Sequence, residues 1–201
     1  MKKMIVCCSV LCLFIVSCSY TSTPIITSPE TIYDVDAKKE GICVVNISNA
    51  NMLDVKINSD IYSPHTYKIY FSTSFSVAMN NITERFFEKV SEEDGGYGEN
   101  RDNADWMIRI NINSFEPKLT FLDRIFATDV AVSAVKISVG CSVSHGGKQF
   151  ERKTIEALGK YSCDANSDYS GGSRAIDGAT QDAMNLILEE YAQYLSSLKS
   201  N

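Results

Sequence analysis

Two hydrophobic periods alternate along this chain of 201 residues. The clearest starts at Trp106. Trp106, Ile108, Ile110 and Ile112 alternate with Met107, Arg109, Asn111 and Asn113. That pattern is a strand with one face in a core and the other in water. Val135, Ile137, Val139, Cys141 and Val143 repeat it, interleaved with Lys136, Ser138, Gly140, Ser142 and Ser144. His145-Gly146-Gly147-Lys148 signals a hairpin, and a further strand is predicted from Phe150 to Tyr161. Shorter strands are predicted earlier: Gly41 to Ser48, then Leu53, Val55 and Ile57, then Tyr67, Ile69 and Phe71.

Between these sets the period changes. Phe75, Met79, Ile82, Phe86 and Val90 lie four, three, four and four residues apart, one face of a helix. Ser72, Thr73 or Ser74 could cap its start, and Gly95-Gly96 would end it. The final stretch, with Ile176, Ala179, Ala183, Ile187, Tyr191, Tyr194 and Leu198, keeps helical spacing to the C-terminus. Strands with short connections pair antiparallel, and two striped helices match the apolar faces that need cover. The expected class is α+β: a two-layer sandwich with a mostly antiparallel sheet and two amphipathic helices on one face, occupying residues 41–201.

The N-terminus follows another rule. Lys2 and Lys3 precede an apolar run from Met4 to Val16, broken by Ser9. That run is shorter than the ~20 residues of a membrane-spanning helix and has the build of a signal peptide. Residues 19–40, with Pro24 and Pro29 and few large apolar groups after Ile26, read as an extended tether.

Composition narrows the partners. Nineteen Lys and Arg stand against 25 Asp and Glu, a net charge of −6, and no basic cluster is present. Nucleic acid, bound chiefly through Lys and Arg on phosphates, is not expected. Of seven cysteines, Cys7, Cys8 and Cys12 fall in the leader. Cys43, Cys141 and Cys163 could supply one disulfide and one free thiol in an oxidising compartment, or could all be small buried hydrophobes.

Ile15-Val16-Ser17-Cys18 resembles the lipobox of bacterial lipoproteins. The resemblance implies cleavage after residue 17, a diacylglycerol on the Cys18 sulfur and an acyl chain such as palmitate on its new amine. Ser19, where inner-membrane lipoproteins of enteric type carry Asp, implies the periplasmic face of the outer membrane. Together with Ala104-Asp105-Trp106 opening an alternating strand and the helix from Ser173, the lipobox resembles a loose group of small outer-membrane lipoproteins. These are the YajG-type lipoproteins, the plug of the lipopolysaccharide export barrel and the auxiliary lipoproteins of lipid-trafficking transporters. The chain lacks the Cys-Gly-Phe opening of the export plug, and the resemblance is one of architecture.

Catalytic chemistry is not signalled. His65 and His145 sit at predicted turns, no zinc-ligand spacing occurs, and no Gly-x-Ser-x-Gly elbow is present. Neither glycine-rich stretch, Gly95-Gly96-Tyr97-Gly98 or Ser170-Gly171-Gly172-Ser173, is followed by the Lys of a P-loop. No catalytic residue, metal or cofactor is expected. The candidate contact surface is Leu119, Phe121, Leu122, Ile125 and Phe126, an apolar cluster in residues 117–129, which should be an exposed connection between two strands. The expectation is a non-enzymatic outer-membrane lipoprotein, held by its lipid, whose periplasmic domain binds another envelope component. The alternative is a lipid-tethered periplasmic enzyme such as a cell-wall hydrolase.

Overall fold

The computed structural model describes residues 19–26, 37–59, 65–92, 104–122, 129–165 and 169–198. Cys18, Ile125 and Phe126 lie outside them. The elements in order are β1 (Ser19–Ser22), β2 (Lys39–Ser48), a 3-10 turn (Ala50–Leu53), β3 (Val55–Asn58), β4 (Thr66–Ile69) and α1 (Ser72–Phe86). There follow β5 (Phe87–Glu92), β6 (Trp106–Leu122), β7 (Val130–His145), β8 (Lys148–Gln149), β9 (Lys153–Asp164) and α2 (Gly171–Ser197).

The class is the expected α+β, with the strands in two sheets. A large sheet runs β5-β2-β6-β7, with β8 and β9 both on the far side of β7. A small one runs β1-β4-β3. Pairing is antiparallel for β3–β4, β6–β7, β7–β8 and β7–β9, and parallel for β1–β4, β2–β5 and β2–β6. The helices and the small sheet share one core with the inner face of the large sheet.

The long hairpin β6–β7 is the spine. Trp106, Ile108, Ile110 and Ile112 face inward. Its register slips between Ile112 and Ser114, and beyond that bulge the inward residues are Phe115, Leu119 and Phe121. One extra residue shifts the side-chain phase, because strands alternate with period two. The stretch from Pro117 to Leu122 is therefore strand, where the sequence pattern suggested an exposed connection. β2 accompanies β6 only as far as Asn111, so Pro117 lies where no β2 partner is lost. Gly146 and Gly147 turn the other end, with φ of 53° and 79°, the left-handed pair that a tight two-residue hairpin needs.

Three further expectations are corrected. The first helix ends at Phe86, and Phe87–Glu92 forms an edge strand on β2 instead of continuing to Val90. Phe87 is buried there, and the exposed flank of β2 gains a partner, which outweighs the mild helical preference of Glu88 and Lys89. The cap of α1 is not Ser72, Thr73 or Ser74. Asp54 Oδ1 accepts the Phe71 and Ser72 amides at 2.7 and 2.9 Å, and its Oδ2 accepts the Ser72 hydroxyl at 2.7 Å. Part of the stretch read as a tether, Ser19–Ser22, is a strand of the small sheet.

Helix α2 lies so close to β9 that a Cβ on Gly159 would overlap the backbone of Ala179 and Ala183. Asp182 accepts the Lys160 amide at 3.0 Å, occupying one donor on that sheet edge. Cys43, Cys141 and Cys163 are all free thiols.

Candidate functional site

The outward residues of β6 and β7 form a hydrogen-bonded polar surface. Asn49 donates to Asn111 Oδ1 at 2.9 Å, and Asn111 donates to Asn113 Oδ1 at 2.8 Å. Asn113 in turn reaches Ser138 Oγ at 3.4 Å, and Ser138 reaches Glu156 Oε1 at 3.4 Å, beside the exposed Lys136–Glu156 pair. Alternation puts these side chains on one face because their partners hold the core. A shallow depression of about 390 Å³ lies over this surface, lined by Arg109, Asn111, Asn113, Ser142, Arg152 and Thr154 among others. Lys153 is ion-paired with Glu190 at 3.2 Å, whereas Arg109 and Arg152 carry no ion pair among the described residues. In a chain of net charge −6, two uncompensated guanidiniums over a bed of amides and hydroxyls suit an acidic or oxygen-rich surface.

A second feature lies where the described chain begins. Tyr20 stacks on Tyr67 at 5.2 Å and meets the edge of His65 at 5.7 Å. His65 lies 4.7 Å from Tyr169, which packs edge-on to Phe121 at 5.1 Å. Tyr67 is buried and donates its hydroxyl to the Tyr169 carbonyl at 2.9 Å. The rings of β1, of β4 and its approach, of the end of β6 and of the lead into α2 thus converge at one end of the molecule.

Several of the described nucleophiles and acids have structural surroundings. Burial pushes the Cys43 and Cys141 thiols up to about 12, so neither is a thiolate at neutral pH. His145 stacks on Trp106 at 3.9 Å, and His65 is held in the aromatic cluster. Asp105 accepts the Ile42 amide, Asp182 that of Lys160, and Asp54 caps α1. Asp177 is raised from its ordinary value by burial, against the lowering effect of the Ser22 hydroxyl, which donates to it at 2.6 Å. Among the described residues no group of His, Cys, Asp and Glu could hold a metal ion, and no helix is long and apolar enough to cross a membrane.

The sequence-derived contact residues separate. Leu119 and Phe121 face the core at 2% and 3% exposure, whereas Leu122, next along β6, is 52% exposed. The structure adds Tyr20, His65 and Tyr169 to the same end. Their convergence had no local signal, because they come from positions far apart in the chain. The polar surface was written in the sequence as the odd positions of β6, but which of them lack a charged partner depends on β9.

No protein-family model matches this sequence, and comparison with curated proteins gives no match either. Some solved structures are similar in layout. A Xanthomonas campestris protein of the DUF330 family aligns over 88% of this chain and 99% of its own, at 11% identity and a TM-score of 0.42. A Helicobacter pylori protein described as homologous to a neuraminyllactose-binding hemagglutinin aligns over 83% and 97%, at 10% identity and a TM-score of 0.39. A minor lipoprotein from Acinetobacter baumannii aligns over 80% and 90%, at 8% identity and a TM-score of 0.36. Lipoproteins are thus among the proteins this chain resembles in layout; similarity at this level transfers no residue role.

Proposed function

We propose that this protein is a lipoprotein anchored by Cys18 to the periplasmic face of the outer membrane, and that its domain binds another envelope component without catalysing a reaction. The anchor rests on the basic start, the short apolar run and the Ile15-to-Cys18 lipobox. The observation that carries the binding role is the open polar surface around Asn111, shallow and hydrogen-bonded, with Arg109 and Arg152 uncompensated. A hydrolase would require two placed carboxylates or an activated nucleophile. The bonds made here by Asp54, Asp105, Asp177 and Asp182 hold elements together.

Two measurements test this reading. Cells fed labelled palmitate should label the native chain in the outer-membrane fraction and leave the Cys18→Ala chain unlabelled; label on the variant refutes the anchor. Photo-crosslinkers placed at Asn111 should capture a discrete envelope partner, and Arg109→Glu with Arg152→Glu should abolish that product without lowering the melting temperature. An unchanged product refutes the surface.

A further inference from the structure

We infer that the aromatic end of the domain rests in the headgroup layer of the membrane that holds Cys18, with Leu122 as its apolar contact. This rests on the acylation of Cys18 proposed above. The observation behind it is that no linker separates that residue from the fold. Ser19 is already paired with Thr66, and Tyr20 with Tyr67, in a parallel ladder. Consecutive Cα atoms lie about 3.8 Å apart across a trans peptide, and Ser19, the residue bonded to Cys18, is already at the rim of the small sheet. A long tether would let the domain tumble away from the bilayer; a strand starting one residue after the anchor fixes which end faces it.

The composition of that end is independent of the anchor argument. Tyr20, His65 and Tyr169 are half-buried there, in contact through their rings. Tyrosine combines an apolar ring with a polar tip and is enriched at membrane–water interfaces. Phe121 packs against Tyr169 from beneath, and the next residue, Leu122, projects a large apolar side chain into the open at 52% exposure. The opposite end of the hairpin carries Gly146 and Gly147 between His145 and Lys148. A Cβ at Gly146 or Gly147 would meet nothing within 4 Å, as expected of a turn free in water.

The test uses the acylated full chain in vesicles of phosphatidylethanolamine and phosphatidylglycerol. Leu122→Cys and Lys148→Cys each carry a nitroxide, in a Cys163→Ser background because Cys163 is the thiol that is not fully buried. Collision with oxygen is compared with collision with a water-borne nickel chelate. The expected result is a severalfold fall in chelate access at 122 on moving from residues 19–201 in solution, without the leader and its cysteines, to the acylated chain in vesicles, with no change at 148. Asp129→Cys, beside the first residue of β7, reports the same end should Leu122→Cys not fold. Equal chelate access at both ends of the acylated protein overturns the inference while leaving the anchor standing. A native chain that takes up no palmitate overturns the anchor, and the inference with it.

Discussion

Thr83 on α1 and Tyr191 on α2 meet in the core, and the direction of their hydrogen bonds makes a sharp prediction. The Thr83 hydroxyl donates to the Met79 carbonyl at 2.9 Å and lies 2.9 Å from the Tyr191 hydroxyl. Its one proton is committed to Met79, so Tyr191 is the donor of the shared bond. Both residues are 0% exposed. Tyr191→Phe removes a donor and leaves Thr83 still bonded to Met79. The cost is that of one neutral hydrogen bond, about 1 kcal/mol. Thr83→Val leaves a phenol hydroxyl buried without its acceptor, which costs about 1–3 kcal/mol. The double variant removes both polar groups and should cost less than Thr83→Val alone. At ~2–4 °C per kcal/mol for a chain of this size, the melting temperatures should fall in the order native, Tyr191→Phe, Thr83→Val. Urea unfolding followed by far-ultraviolet circular dichroism and by Trp106 fluorescence would supply the free energies. A Tyr191→Phe loss equal to or larger than that of Thr83→Val refutes the assigned direction.

Other outcomes follow from single residues. Trp106, 1% exposed, stacked on His145 and donating to the Glu40 carbonyl at 3.1 Å, should resist acrylamide quenching, and Trp106→Ala should cost about 3–5 kcal/mol in urea titration. Phe121→Ala should likewise cost about 3–5 kcal/mol, while Leu122→Ala, one residue on, should stay within about 0.5 kcal/mol; comparable losses would mean that the phase shift at the β6 bulge is misplaced. Asp177, raised by burial, disfavours the folded state once ionised, and that cost declines as pH falls through its folded-state value and is gone below the ordinary one. Asp177→Asn should therefore stabilise the domain at neutral pH, with the advantage shrinking as pH falls below the raised folded-state value and gone below the ordinary carboxylate value. Asp54 runs the other way. Burial acts to raise it, but the bonds from Ser72 and Phe71 hold it below 3.8, so its capping contribution persists above that value and is lost as pH falls through the lowered one.

Most of the large sheet, and α2 from Ser173 on, were legible in the sequence, because each keeps a single period over many residues. β6 shows both the reach and the limit of that signal. Trp106 to Ile112 put even positions inward, and Phe115 to Phe121 put odd positions inward. A reader of alternation loses the strand at Asn113, because a bulge changes phase without changing composition. The Ile82, Phe86, Val90 spacing fits a helix equally well whether the chain continues or turns at Phe87, and the unpaired flank of β2 decided it. Nothing local marks Ser19–Ser22 as strand; its partner is 47 residues away at Thr66. The candidate site was legible in chemistry and not in place. The polar face of β6 could be read as a face, whereas the cluster of Tyr20, His65, Phe121 and Tyr169 exists only after distant segments meet.

The small sheet also has a consequence for the order in which the molecule can be completed. β1 is bound on one side by β4 and on the other by α2, where Ser22 donates to Asp177 across a sequence separation of 155 residues. A chain delivered across a membrane from its N-terminus presents β1 first and α2 last. Contacts so far apart in sequence form late, because closing the intervening loop is costly until the chain between is already folded. β1 therefore waits, without that contact, until Asp177 has followed. In the secretion proposed above, arrival of α2, and not of the N-terminal segment, would set the moment at which this end of the protein becomes rigid.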